Sequence, residues 1–430
     1  MRNFILFLTV LFFNQPLMAQ NKTDQFLKDI LEKSKSELVR QIVADKDSFR
    51  LQVIYTQIDR DKKNQPHFKN YYFNVDKDLY FNPASTVKLP LACLSLEKLH
   101  EMKIPGVDKF TTIQFDSVNE KQIGMLHDET SENGFPSIAQ FIRKAFLVSD
   151  NDAYNRMYQF NTQQRINRRL HAMGYQDIRI NRQFLGMSLD ENRRTSGFHF
   201  MDQNGKIIYS QPEAYNTDSF DFSKIIKMGK GHYNSEDVLV NEPIDFTTVN
   251  NLPLEDLQQI LQSVLFPAAV SAAQRFHLSK ADYHFLYQYL SQFPSETNYP
   301  KYDSTQYYDS YVKFYFRNGH PHLPEGVRVF NKVGWAYGFL IDVSYVVDFK
   351  NKVEYMLTST VYVNSDGILN DNHYDYDTVG WPFLYDLGQT IYEYELKRKR
   401  EFVPDLSQFK IAYEKRNEKD TRPVVKDVDN

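Results

Sequence analysis

The sequence predicts an α/β (α+β) protein in which both chain ends build one antiparallel sheet layer and a helical lobe is inserted between them. Three observations carry this. Strand-like runs cluster near the two ends, at 51–75 and 328–363, while the stretch from 85 to about 170 has mostly helical spacing. Helix-like segments also flank the strands at both ends, placed to cover a sheet face.

In chain order, residues 22–45 set Phe26, Ile30, Leu31, Leu38, Ile42 and Val43 at helical intervals. Residues 51–58 are rich in Val, Ile, Tyr and Thr and read as a strand, with 70–75 as its partner across a polar turn. Residues 138–147 form the clearest amphipathic helix, and 174–245 read as a long, irregular polar segment. Helices are expected at 250–263 and 278–293. Runs at 328–333, 339–349 and 353–363, separated by glycine-bearing or polar turns, read as an antiparallel meander. Residues 382–398 form a covering helix, and the charged chain from about 414 is expected to fray. The expected division is a signal peptide at 1–19, a body at 20–400 and a polar tail at 401–430. Within the body, about 25–82 and 300–400 make the layer, and about 83–299 the lobe.

Composition narrows the function. Met1-Arg2-Asn3, the apolar run 4–13 and Leu17-Met18-Ala19 have the layout of a secretory signal peptide, so export across the inner membrane to the periplasm is expected. No later segment is long and apolar enough to span a bilayer. A lone cysteine, Cys93, excludes an intramolecular disulfide framework. A formal charge of −4 gives no basic footprint for nucleic acid. The 33 Phe and 29 Tyr are read as core filling rather than sugar stacking.

The chemistry begins at Ser85-Thr86-Val87-Lys88, after a proline-marked turn and at the head of an apolar run. On a helix the hydroxyl and the amine share a face, and a lysine in a dry pocket can deprotonate serine. A second Ser-x-x-Lys, Ser310 to Lys313, lies in a strand-like alternation that would point the two side chains apart, so it is read as coincidence. Ser149-Asp150-Asn151, at the end of the amphipathic stretch, offers a second hydroxyl and a carboxamide. The rival Ser131-Glu132-Asn133 lies in a loop with no element to position it. Lys332-Val333-Gly334 ends one strand-like run and opens the next, so that Lys332 can attract a carboxylate and Gly334 admits close approach. Lys227-Met228-Gly229 has the same spacing but sits in the irregular segment.

In this order the three pieces resemble the S-x-x-K, S-D-N and K-T-G set of the penicillin-recognising serine enzymes, most closely class A β-lactamases and related serine hydrolases. The resemblance spans roughly residues 25–400. It implies a β-lactamase/transpeptidase-like fold and an acyl-enzyme mechanism with no cofactor and no metal. It casts Ser85 as nucleophile, Lys88 as its base and Ser149 as proton relay to the leaving nitrogen. Asn151 would contact substrate, Lys332 would supply charge at its carboxylate end, and the amides of Ser85 and Trp335, beside Gly334, would form the oxyanion hole. The implied substrate is a small β-lactam or a peptidoglycan-like amide or ester, taken by a monomer. A D-alanyl-D-alanine peptidase and a binding protein without turnover are the alternatives.

Two departures stand out. Val333 replaces the hydroxyl residue of the third motif. The glutamate that activates deacylating water in class A enzymes aligns with Phe184, within 182–195. Asp190 and Glu191 are the nearest carboxylates and the candidate bases, unless they pair with Arg193 and Arg194. His320 and His322 lack a third metal ligand, and Asp371 to Asp377 lack EF-hand spacing.

Overall fold

A computed structural model describes residues 21–417 and 419–428. The expected signal peptide at 1–19 lies outside the described residues. Both chain ends contribute to a five-stranded sheet ordered Val327–Ala336, Phe339–Asp348, Val353–Tyr362, Gln52–Arg60, Pro66–Phe73, with every neighbouring pair antiparallel. The meander is therefore real, and the first strand pair is spliced onto its far side.

Both faces of the sheet are covered, so its inner strands are buried almost throughout instead of alternating between core and solvent. Val53 and Tyr55 face the terminal helices Gln25–Glu32, Glu37–Ala44 and Trp381–Lys397, where Leu27, Ile42, Leu384 and Ile391 complete one core. Ile54, Ile341, Val343 and Val347 face the inserted lobe and a larger second core. The 22–45 periodicity breaks into two helices because Ser36 caps the second one, its Oγ accepting from the Val39 amide at 3.2 Å.

The lobe's helices are Lys88–Met102, Ile138–Leu147, Asn151–Asn161, Gln163–Ala172, Leu254–Leu265 and Lys280–Ser291. It also contains strands. Phe198–Met201 pairs with Ile113–Phe115 and with Ile207–Gln211 in a three-stranded sheet. Shorter pairings join Arg194–Thr195 to Ala214–Tyr215 and Lys227–Met228 to Ile244–Asp245. The segment read as irregular is thus a series of short hairpins that the 174–245 composition did not announce. The tail beyond 400 is docked as well. Phe409 is fully buried, and Val425 bridges to Tyr302. Among the described residues no helix is long and apolar enough to cross a membrane.

Candidate active site

Asn82 and Pro83 set the nucleophile turn. Asn82 Oδ1 accepts from the Ala84 amide at 2.9 Å, Ala84 takes a φ of +44°, and Thr86 donates its amide and hydroxyl back to Pro83 O at 3.0 and 2.6 Å. A 3-10 turn at Ala84–Val87 then runs into the Lys88–Met102 helix. Ser85 and Lys88 therefore stand about one turn apart on one face, with Lys88 Nζ 2.8 Å from Ser85 Oγ.

The second motif arrives by a sharp turn. The Ile138–Leu147 helix stops, Ser149 adopts a left-handed φ of +66°, and Asp150 caps the Asn151–Asn161 helix through Ala153 N at 2.8 Å. Asp150 is held by buried Lys144 at 3.5 Å. This turn aims three acceptors at Lys88 Nζ: Asn151 Oδ1 at 2.8 Å, Ser149 Oγ at 3.3 Å and the contacting carbonyl of Ser149. Lys88 is fully buried, and no carboxylate forms an ion pair with it among the described residues. Burial, reinforced by the positive charge of Lys332, drives its pKa well below the ordinary lysine value. A neutral amine has two N–H donors and one lone pair. The Ser149 carbonyl and Asn151 Oδ1 take the donors, which leaves the lone pair for the Ser85 hydroxyl.

The third motif closes the group. Lys332 Nζ lies 3.0 Å from Ser149 Oγ and 2.7 Å from Val333 O. Burial lowers its pKa to about 7, with Asp342 opposing and Lys313 assisting. Gly334 is required by the approach of its strand to the nucleophile turn, since a Cβ there would sit 2.9 Å from both Pro83 O and Ser85 N. Ser85, Lys88, Ser149, Asn151, Lys332 and Gly334 are thereby brought together, with Trp335 next on the same strand.

Ser85, Ser149, Asn151 and Trp335 line a cavity of about 740 Å³. Its other walls are mainly carboxamides and aromatics, among them Asn82, Gln183, Phe184, Asn250, Tyr337 and Tyr376. Phe184 is stacked on Tyr154 with centroids 4.2 Å apart, and its ring centre is 5.2 Å from Lys88 Nζ.

Residues 35–222 match the family model described as the β-lactamase enzyme family, a span that contains the first two motifs and the Phe184 loop and ends before Lys332. Over that span, somewhat under half of its length, the chain is similar to this family. No curated protein matches it. Among solved structures it is similar to a β-lactamase from Sphaerobacter thermophilus DSM 20745, at 15% identity and TM-score 0.43 over 83% of this chain and 95% of that one. Another is a β-lactamase from Desulfarculus baarsii DSM 2075, at 14% identity and TM-score 0.44 over 82% and 97%.

The candidate deacylating bases need correction. Glu191 pairs with Lys121 at 3.2 Å and accepts from the Ser188 amide at 2.6 Å, while Asp190 accepts from Tyr215 OH at 2.6 Å. Neither lines the cavity. Their loop turns them outward because Asn192 points inward instead, its Oδ1 accepting from Gln183 N at 2.7 Å. The only acidic side chain among the described lining residues is Asp377, at the exposed rim, and the only basic one is Arg182. Sequence reading gave Arg182, Asn250 and Tyr337 no role. Their convergence depends on contacts across the fold, such as Asn250 Oδ1 with the amides of Asn181 and Arg182 at 2.9 Å, and short motifs carry no trace of these. A cluster of Asp366, Asp371 and His373 sits near the same rim, with its carboxylates partly spent on the amides of Ile368 and His373.

Proposed function

We propose that the protein is an exported serine acyl hydrolase of the class A β-lactamase type, acylated at Ser85 by an activated amide or ester. The observation that carries this reading is the buried Lys88 amine, 2.8 Å from Ser85 Oγ, with its other neighbours all hydrogen-bond acceptors. Neutral Lys88 takes the Ser85 proton as Oγ attacks the carbonyl carbon. The amides of Ser85 and Trp335 hold the oxyanion, and each such donor is worth on the order of 3 kcal/mol in the transition state. The proton then passes from Lys88 to Ser149 Oγ, whose own proton goes to the leaving nitrogen as the C–N bond breaks. Lys332, 3.0 Å from that hydroxyl, holds it in place for the relay by hydrogen bonding.

Phe184 supports a second reading of the same site, a D-alanyl-D-alanine peptidase or related enzyme that releases a β-lactam acyl group slowly. Among the described residues the only carboxylate lining the cavity is Asp377 at its exposed rim, and the ring of Phe184, 5.2 Å from Lys88 Nζ, stands where the water-activating glutamate of class A enzymes aligns. Intact-mass spectrometry after exposure to benzylpenicillin tests both. An adduct on Ser85 that is lost in Ser85→Ala supports acylation, and its lifetime separates hydrolysis from slow release. An adduct that survives Ser85→Ala removes Ser85 from the mechanism. Export is tested by N-terminal sequencing of periplasmic protein, expected to begin at Gln20.

A further inference from the structure

We propose that Lys144, a residue outside all three motifs, is a positioning residue for acyl transfer: its buried ammonium pins the turn that presents Ser149 and Asn151 to Lys88. The inference rests on the acyl-enzyme reading above.

The turn needs a restraint. Lys88 takes three contacts from it, Ser149 O, Ser149 Oγ and Asn151 Oδ1. Yet Ser149 carries a Cβ and sits at a φ of +66°, a region that side chains disfavour and that persists only where the surroundings enforce it. Lys144 grips the next residue from both ends. Its carbonyl accepts from the Asp150 amide at 3.3 Å, and its Nζ lies 3.5 Å from Asp150 Oδ2. The other carboxylate oxygen, Oδ1, accepts from the Ala153 amide at 2.8 Å.

A second carboxylate makes this arrangement depend on the ammonium. Asp128 Oδ2 lies 3.6 Å from the same Nζ and makes no hydrogen bond among the described residues. Lys144, Asp128 and Asp150 are all at least nine-tenths buried, and Lys144 is the only cation paired with either carboxylate among the described residues. Asp128 is tethered by its own loop. Its Oδ1 accepts from the Thr130 amide at 3.0 Å and the Thr130 hydroxyl at 2.5 Å, and its amide donates to Gly134 O at 3.0 Å. The loop of Ser131-Glu132-Asn133 thus anchors Asp128. Tyr302 closes the far side. It is fully buried, its hydroxyl has no hydrogen bond among the described residues, and burial, with Asp150 and Asp128 adding, drives its pKa well above the usual value. The tail covers it through the bridge from Val425.

Burial lowers the pKa of Lys144, but Asp150, Asp128 and Asp152 outweigh this and raise it, so Lys144 stays charged beside a neutral Lys88. Without that charge, two carboxylates would face each other where little water screens them. Asp128 is held, so Asp150 would move and carry the Ser149 turn with it.

The test follows adduct formation by intact-mass spectrometry on the full chain at a series of benzylpenicillin concentrations, which separates half-saturation from the limiting acylation rate. Lys144→Met keeps an unbranched stem and removes the charge. It should lower the limiting rate by about 10- to 100-fold, the scale of a misplaced catalytic group, with half-saturation unchanged. Asp128→Asn leaves the pair of Lys144 and Asp150 whole and should slow acylation far less. If Lys144→Met proves too unstable to purify, Lys144→Met with Asp128→Asn, which also removes the repulsion, should fold and still acylate slowly at wild-type half-saturation. A Lys144 variant that melts lower but acylates at the wild-type limiting rate makes Lys144 a stability element only and overturns the proposal. So does a loss confined to half-saturation, or an Asp128→Asn variant as slow as Lys144→Met. These outcomes leave the acyl-enzyme reading standing, whereas wild-type protein that forms no adduct removes that reading and this inference together.

Discussion

In the mechanism proposed above, Phe184 decides the fate of the Ser85 ester. An ester on serine is hydrolysed when a base removes a proton from water, and general-base catalysis typically supplies about 10²–10⁴ in rate. The side chain facing Lys88 Nζ at 5.2 Å is instead a ring packed on Tyr154. Phe184→Glu should shorten the lifetime of the benzylpenicillin adduct by at least about tenfold within that range. The loop should survive the change, because the amide of residue 184 is tied to Asn155 Oδ1 at 2.8 Å independently of the ring. The new carboxylate also stabilises the protonated form of Lys88, so the acid limb of acylation should move to higher pH. An adduct as persistent as before would show that position 184 does not face the ester. Sequence alignment to the family brought this residue to notice, whereas the packing on Tyr154 could be seen only once two distant segments were folded together.

The Val327–Ala336 strand is the element on which the site turns. Gly334 lies inside it, opposite Ile341, and the turn comes later, at the left-handed Tyr337 and Gly338. Gly334→Ala would press a methyl group against Pro83 O and Ser85 N, both backbone atoms that cannot rotate away. The strand should retreat from the nucleophile turn. Acylation should fall by about 10²-fold or more, the scale of losing one oxyanion donor, while the melting temperature changes little. A variant acylated at the wild-type rate would mean that the Trp335 amide takes no part. The sequence placed this strand but ended it at 333, because glycine signals a turn when its cross-strand partner is unknown. Ser310 and Lys313 were misread for a related reason. They lie in a turn before a 3-10 helix at Phe314–Phe316, not in a strand. The aromatic alternation there imitated a strand because all three helix residues are buried between the sheet and the Trp381–Lys397 helix. The pair is not catalytic in geometry either. Lys313 Nζ contacts Leu290 O, Val329 O and Asn331 Oδ1 at 2.6–2.9 Å, and Ser310 Oγ turns to His320 O.

At the scale of the molecule, the tail and the buried amines set stability. Phe409 closes the core below the lobe, with ring centroids 4.8–5.6 Å from Tyr345, Phe266, Phe330 and Tyr287. Phe409→Ala should cost about 3–5 kcal/mol in denaturant unfolding, against a few tenths if this part of the polar tail were undocked. Charge density hid this docking because the anchoring residues are isolated among polar ones. The buried lysines act on pH dependence. Lys98, Lys313 and Lys332 are each held at about 7, chiefly by burial. An unfolded lysine titrates near 10.4, so between these values the unfolded chain binds more protons than the folded one. Folding stability should then be fully present above about 10.4 and fall as pH drops toward 7, by up to about 1.4 kcal/mol per pH unit for each lysine. Asp342, raised to about 7 by burial, acts below this window and leaves pH 7.5–9 clear. The urea midpoint should therefore rise from pH 7.5 to 9. Lys98 offers the control, because it sits between Phe160 and Phe198, 2.8 Å from Gln211 Oε1 and remote from the motifs. Lys98→Met should remove one lysine's share of that slope, and a wild-type midpoint that stays flat or falls across this range would show that these amines stay protonated inside the fold.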